Sequence, residues 1–287
     1  MWICTAMRGA EMDAGRASSG FRAEEAGGLV YYTPGFARGD GVRAAFSNRR
    51  GGWSRGPHST LNLGLHVGDD PQAVLSNRAS FCAALGLNHR DLVACAQVHG
   101  TAMAVVGPDD RGRGAFDPGG AVPGVDGLAT DVPGVPLVTF YGDCVPLFFF
   151  DPVRPAIALV HAGWRGTLGR IAARAVSLMR EHFGASPERM LVGIGPSIGA
   201  CCYTVGPEVA QMFARQFGPA AEVRCHPGEG GRLDLALLNR RILEAAGVWS
   251  EHIDTAPWCT SCHPEEFFSH RASRGITGRM AAVMALE

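Results

Sequence analysis

The chain has almost no charge imbalance. Its 287 residues carry 26 Lys and Arg against 27 Asp and Glu, a formal net charge of −1. The basic stripe that tracks a phosphate backbone is therefore missing, which argues against a nucleic-acid partner. No apolar run approaches the length needed to span a bilayer, so no membrane partner is expected either. The first residues, Met1-Trp-Ile-Cys-Thr-Ala-Met-Arg, are too short and too weakly apolar to read as a secretory signal. A disulfide framework is also lacking. The nine cysteines are odd in number and scattered, with Cys82 and Cys95 inside apolar segments. That usage points to a reducing compartment with thiols free or on metal, and the expected location is cytoplasmic. There is no internal repeat and no convincing linker. Residues 1–27, rich in Ala, Gly, Ser and charge, read as a loose N-terminal tail, and residues 28–287 as one domain.

What is present is apolar material in short pieces. A hydrophobic content of 46% is enough to bury a large core. Short apolar runs alternate with helical patterns, which predicts an α/β or mixed α+β fold. Strands are expected over Gly41–Ser47, Leu92–Val98, Pro136–Phe140, Val145–Phe150, Ile157–His161 and Met190–Ile194. Asp70 followed by Pro71 opens a helix ending near Gly86, with Asp as N-cap and Pro at the first helical position. A long helix is expected from about Thr167 to Phe183, because Ile171, Ala172, Ala175, Leu178 and Met179 share one face. Two more cover roughly Pro207–Phe217 and Leu233–Ala246. The Gly-, Pro- and Asp-rich segment Gly107–Gly127 reads as an exposed loop.

The most informative stretch runs from Tyr141-Gly-Asp-Cys-Val-Pro-Leu to Ala158-Leu-Val-His-Ala-Gly-Trp-Arg-Gly. It places a thiol (Cys144), an imidazole (His161), a carboxylate (Asp143) and a guanidinium (Arg165) at the ends of buried strands. A second imidazole, His99 in Ala96-Gln-Val-His-Gly-Thr, ends a similar apolar run. Any one of these His or Cys residues alone reads as core packing. Together they do not, because Gly100, Gly142, Gly163 and Gly166 leave the backbone bare around them. One Cys and two His make a set of metal ligands (His99, Cys144, His161) that keeps one position open, as in catalytic zinc sites. A metal-free reading uses the same residues, with Cys144 as nucleophile and His161 as its base.

Three further motifs carry less. Asn48-Arg-Arg-Gly-Gly-Trp-Ser offers forked donors and bare amides suited to an anion, but is no P-loop. Gly193-Ile-Gly-Pro-Ser-Ile-Gly is a poor dinucleotide fingerprint, with its proline and no following ribose-binding acid. Cys259-Thr-Ser-Cys-His263 matches the haem attachment pattern, yet without an export signal it reads as a tight loop with reduced thiols. As a zinc site it needs two further ligands, which Cys201-Cys202 supply only if the fold brings them near. His58, His89, His182, His226 and His252 sit in polar or helical surroundings and are expected at the surface.

Taken as ordered blocks, the chain resembles the laccase-domain family, also called the multicopper polyphenol oxidase or peptidoglycan editing factor family. The blocks run from about Phe46 to Met280. They include Phe46-Ser-Asn-Arg-Arg-Gly-Gly, Leu61-Asn-Leu-Gly-Leu-His-Val-Gly-Asp-Asp, Gln97-Val-His-Gly, Thr130-Asp-Val-Pro-Gly-Val, Asp143-Cys-Val-Pro-Leu and His161-Ala-Gly-Trp-Arg-Gly. Ile194-Gly-Pro-Ser-Ile-Gly-Ala-Cys-Cys-Tyr, Cys259-Thr-Ser-Cys and Phe267-Phe-Ser continue them. The resemblance implies a layered αββα sandwich with a zinc on His99, Cys144 and His161. It implies a purine nucleoside phosphorylase acting on adenosine, inosine and methylthioadenosine with phosphate, with adenosine deaminase activity besides. The family's first-loop arginine falls on Arg49 and its Ser-Leu-Asn block on Thr60-Leu-Asn62, which makes Arg49 and Asn62 candidates for substrate or phosphate binding. Three departures stand out: Tyr141-Gly-Asp-Cys for the usual Thr-Ala-Asp-Cys, Ser47-Asn-Arg for Ser-Thr-Arg, and Phe268-Ser-His-Arg for Phe-Ser-Tyr-Arg. The first two are expected to border the pocket.

On this reading Cys144, His161, Asp143 and Arg165 carry the catalysis, with Arg165 joining Arg49 on phosphate and Asp143 shuttling protons in deamination. The rival is copper oxidation of phenols, since one Cys with two His superficially matches a blue-copper set. Ten His without one His-x-His pair are too few to build an oxygen-reducing cluster as well, so copper is the lesser alternative to zinc. A rival of another class is a non-catalytic editing role on cell-wall precursors. The expected assembly is a monomer or a small homo-oligomer.

Overall fold

The computed structural model describes residues 20–38, 41–218, 224–226 and 230–287. In chain order the strands are β1 (Arg22–Ala26), β2 (Leu29–Thr33), β3 (Val42–Ser47), β4 (Val93–Ala94), β5 (Met103–Val105), β6 (Gly127–Thr130), β7 (Leu137–Tyr141), β8 (Val145–Asp151) and β9 (Ala156–Ala162). They continue with β10 (Leu191–Ile194), β11 (Thr204–Val205), β12 (Arg224–His226), β13 (Gly230–Arg232), β14 (Ile253–Thr255) and β15 (Met280–Leu286). The α-helices are α1 (Pro71–Ala84), α2 (Trp164–Leu168), α3 (Ile171–Phe183), α4 (Pro207–Phe217) and α5 (Leu235–Ala245).

Two six-stranded mixed sheets stack face to face, one in the order β1-β2-β3-β15-β7-β4 and the other β14-β10-β8-β9-β6-β5. A small sheet, β11-β13-β12, lies apart from both. The alternation of a strand sets the layers, because successive side chains point to opposite faces. In β9, Ile157 and Leu159 enter the core between the sheets, whereas Ala156, Ala158, Val160 and Ala162 enter a second core under α3 and α5. In β15, Met280, Ala282, Met284 and Leu286 face the inter-sheet core, and Ala281 and Val283 face Phe81 and Cys82 of α1. Helices thus cover both outer faces, giving an αββα sandwich. Strands buried on both sides are apolar throughout, so they read as uninterrupted runs rather than alternating ones.

Several elements match the sequence reading closely. Asp70 caps α1 by accepting from the Gln72 backbone N–H at 3.0 Å, and Pro71 is its first residue. Four differences have physical causes. The helix expected from Thr167 is two helices, because Gly169 and Arg170 intervene and Arg170 takes the left-handed conformation at φ +61°. The strand expected over Leu92–Val98 keeps regular pairing only at Val93–Ala94. Arg22–Ala26, placed by composition in a tail, pairs antiparallel with β2, while residues 1–19 of that tail lie outside the described residues. His58 is buried, with Nε2 3.2 Å from the Val67 carbonyl oxygen.

Candidate active site

In the antiparallel β8–β9 pair, Val145 stands opposite Ala162 and Pro146 opposite His161. Cys144, one residue before β8, is therefore a diagonal neighbour of His161 on the same face. The row Ile157, Leu159, His161 runs out of the inter-sheet core, so the imidazole emerges where that core ends. His99 arrives from the turn between β4 and β5 and sets its ring 4.9 Å from that of His161, at 84°. The donor atoms of His99, Cys144 and His161 all lie within 4.8 Å of one another. His99 and Asp143 both hold the left-handed backbone conformation, at φ +59° and +94°. Such strain in non-glycine residues collects at functional sites, where surrounding contacts hold it.

Asp126 supplies most of those contacts at His99, and the sequence reading missed it. Its carboxylate is completely buried. One oxygen accepts from His161 Nδ1 at 2.9 Å and from the His99 backbone N–H at 2.9 Å; the other accepts from Val98 and Gly100 at 3.2 and 2.6 Å. Burial raises its pKa, but the His161 bond and these amides outweigh burial and hold it below the ordinary carboxylate value. The residue escaped notice because Gly107–Gly127 reads as a polar loop. That segment instead buries Ala115, Ala121, Val122, Val125 and Asp126. A bare acid beside a glycine carries no sequence signal of its own.

Asp126 fixes His161 with Nδ1 engaged, which leaves Nε2 to face the other two ligands. Burial would raise the Cys144 thiol, but the charge of His161 and hydrogen bonds from both imidazoles outweigh it and bring the pKa down, favouring thiolate. Gly163 completes the cradle: a Cβ there would come within 3.0 Å of His99 Cδ2 and 3.2 Å of Cys144 Sγ. A thiolate and two imidazoles, one of them braced by a carboxylate, form a donor set that suits zinc, with a position left open.

These side chains open into a cavity of about 670 Å³, ample for a small organic ligand. Phe140, Trp164 and Tyr203 give it aromatic walls, and Arg165, Arg271 and Arg279 give it positive charge together with Arg78, whose guanidinium is held by the Leu63, Gly114 and Ala115 carbonyls. Arg165 stacks over Trp164 at 4.3 Å. Arg271 is held by the Thr204 carbonyl at 2.8 Å, and Arg279 by those of Thr277 and Gly278 at 2.9 and 3.0 Å. Enclosure in the wall, then the charges of Arg279 and Arg78, push the His66 imidazole down to about 4, so it stays neutral near pH 7.

The expected site residues divide into two groups. Asp143 and Arg165 line the cavity beside the trio. Asp143, however, has both carboxylate oxygens engaged, by Thr260 Oγ1 and the Arg271 N–H, each at 2.7 Å. Arg49 and Asn62 stand elsewhere. Arg49 donates through Nε and one terminal nitrogen to the Ser59 carbonyl and through the other to that of Pro264, beneath the ring of Phe268. Asn62 is fully buried, donates to Asp69 and accepts from the Arg279 backbone N–H at 2.8 Å, so it positions a cavity arginine from behind. Of the three sequence departures, it is Gly142 and His270 that border the cavity; Asn48 is buried away from it and accepts from the Arg50 N–H. The glycines of Gly193–Gly199 serve packing: a Cβ on Gly195 would meet Pro146 Cγ at 2.7 Å.

The αββα sandwich that carries this trio defines a fold class that known proteins share. Residues 43–287 match the family described as multi-copper polyphenol oxidoreductase laccase, and the chain belongs to that family. It is 44% identical over 264 residues to the purine nucleoside phosphorylase YlmD of Geobacillus stearothermophilus, covering 91% of this chain and 95% of that one. It is 37% identical to the adenosine deaminase RL5 of an unknown prokaryotic organism, covering 84% and 92%. The crystal structure of YlmD from Geobacillus stearothermophilus superposes with a TM-score of 0.87 at 41% identity, over 94% of this chain and 100% of that one.

Proposed function

We propose that the protein is a zinc-dependent purine nucleoside phosphorylase that also deaminates adenosine. The reading is carried by one juxtaposition: the His99–Cys144–His161 trio, three aromatic walls and four arginines, Arg78 among them, share a single cavity. The relatives named purine nucleoside phosphorylase and adenosine deaminase support the substrate class.

Phosphorolysis breaks the bond from C1′ to the purine nitrogen and forms one from C1′ to a phosphate oxygen. The base leaves with the electron pair and takes up a proton. Arg165, Arg271 and Arg279 hold the phosphate, their forked donors matching its oxygens. Trp164, Tyr203 and Phe140 receive the flat purine. His99, Cys144 and His161 would hold a zinc ion, which would supply Lewis acidity beside the bound nucleoside. Asp126 orients the His161 imidazole through Nδ1 and fixes the turn that carries His99 through its backbone N–H. Asp143, with both oxygens engaged, positions Thr260 and Arg271 rather than moving a proton. Copper in place of zinc is the lesser reading of the same donors. The protein acts in the cytoplasm as a monomer or small homo-oligomer; among its described residues no helix is long and apolar enough to cross a membrane.

The test is chromatographic, with purified protein, adenosine and a Cys144→Ala control. Adenine and ribose 1-phosphate formed only with phosphate and intact Cys144 are the expected result. Inosine without a phosphate requirement makes deamination the main chemistry. Absence of turnover with any purine nucleoside overturns the reading and favours an editing role on cell-wall precursors.

A further inference from the structure

A second group of ligand-type side chains lies outside the trio. Cys201 and Cys202 follow β10 in the loop before β11, and Cys259 and Cys262 follow β14. More than fifty residues separate the two pairs in sequence, yet all four sulfurs lie within 4.8 Å of one another. The Cys262 sulfur is 3.5 Å from that of Cys201 and 3.4 Å from that of Cys202. These spacings are too long for a disulfide, whose sulfurs sit about 2.05 Å apart. They match a tetrahedron instead: four sulfurs about 2.3 Å from one zinc stand about 3.8 Å from each other.

The backbone is arranged for the same purpose. Ser197 and Cys259 form a parallel bridge, and the Thr260 N–H donates to the Ser197 carbonyl at 3.0 Å, which zips the two loops together. Gly199 lets them close, since a Cβ there would meet Cys201 Sγ at 3.3 Å and the Cys259 Cβ at 3.4 Å. Its N–H donates to the Cys259 sulfur at 3.2 Å. The Cys262 N–H donates to the Cys259 carbonyl at 3.1 Å, which closes the Cys259-x-x-Cys262 turn and brings its two thiols to one side. Cys201 and Cys262 are exposed, which leaves a path for an ion to enter.

We propose that Cys201, Cys202, Cys259 and Cys262 form a closed tetrathiolate site for a structural zinc ion, separate from the centre at His99, Cys144 and His161. Four sulfur ligands leave no position for substrate, which is the mark of a structural site. Its place in the fold gives it a task. Thr260, between two of the ligands, donates to Asp143, and the Cys202 and Thr204 carbonyls lie against the guanidinium of Arg271, which sits over Tyr203 at 5.0 Å. An ion there clamps the two loops that form one wall of the cavity.

The test counts metal on the full chain, purified under reducing conditions without chelator. Elemental analysis of wild type, Cys144→Ala and the double variant Cys259→Ser/Cys262→Ser is expected to show the double variant losing about one zinc per chain. Cys144→Ala is expected to keep that zinc. Equal zinc in wild type and double variant overturns the proposal. If the double variant fails to fold, cobalt loaded into Cys144→Ala decides, since among the described residues that chain retains only the four-cysteine set as a thiolate site. Strong sulfur-to-cobalt charge-transfer absorption with tetrahedral ligand-field bands is expected, and its absence overturns the proposal. So does an intact mass two hydrogens lower in the reduced preparation, which reveals a disulfide, or iron in place of zinc.

Discussion

Asp143 joins two clusters of ligand-type side chains, preceding Cys144 of one and accepting from Thr260 of the other, and they are built differently. The His99–Cys144–His161 trio mixes one sulfur with two nitrogens, lies where strands end, and is braced by a completely buried carboxylate. The four cysteines lie on two loops, have the Gly199 amide donating to the Cys259 sulfur, and reach the surface. On the proposed reading the first arrangement leaves a coordination position facing a cavity and the second closes on itself. The difference shows what a fold spends rigidity on. An open centre needs neighbours to hold its ligands in place, because no fourth protein ligand does so. A closed one is held by the ion itself.

The sharpest way to break the comparison is Cys144→Ala. It is expected to lower phosphorolysis by on the order of 10³-fold, equivalent to about 4 kcal/mol of transition-state stabilisation, with the thermal midpoint near that of wild type. Initial rates at saturating phosphate check this, and a variant with full activity would remove the trio from the chemistry. Asp126→Asn tests the brace. It keeps the size of the side chain but removes the charge that holds His161 and three amides. A loss of roughly 10–100-fold in metal affinity or activity is expected, measured by competition with a chromophoric chelator. Arg279→Met is expected to raise the KM for phosphate about tenfold with kcat little changed, about 1.4 kcal/mol of lost binding; a fall in kcat alone would contradict an anchoring role. Arg49→Ala gives the smallest effect. Its guanidinium serves the Ser59 and Pro264 carbonyls, so a stability loss of about 1–2 kcal/mol is expected, with the phosphate KM unmoved. Denaturant midpoints and saturation curves separate the two, and a raised KM would return Arg49 to the phosphate site.

Much of the fold is legible in the chain. The capping pair Asp70–Pro71, the α4 boundaries and the short apolar runs of β7 to β10 follow from local rules, because turn chemistry and burial periodicity are written residue by residue. Strand β15 is the counterexample. Met280-Ala-Ala-Val-Met-Ala-Leu286 is rich in residues that favour helix, yet it pairs with both β3 and β7. Burial on both faces outweighs that local preference, and burial on that scale depends on distant partners. The break between α2 and α3 escapes for a related reason: the 3.6-residue periodicity continues past Arg170 although its backbone does not.

The candidate site divides along the same line. Cys144, His161 and Asp143 are neighbours on one hairpin, and His99 shares their setting at a strand end, so residue type and flanking glycine already mark them. The partners of each side chain were decided by tertiary structure. Asp126, 27 residues from His99 and 35 from His161, reads as loop until the fold buries its carboxylate between the two histidines. Arg49 and Arg279 are the same residue type, and only their surroundings send one to backbone carbonyls and the other to the cavity wall. The two cysteine pairs meet only because the β10 and β14 loops are zipped side by side. Sequence by itself determined the mixed α/β class and marked His99, Cys144 and His161 as candidate donors, since short apolar runs and strand-end chemistry are local properties; the αββα layering was implied by the family resemblance. The choice of which charges are paired, which are free and where four sulfurs converge belongs to the tertiary structure, because it rests on contacts between residues far apart in the chain.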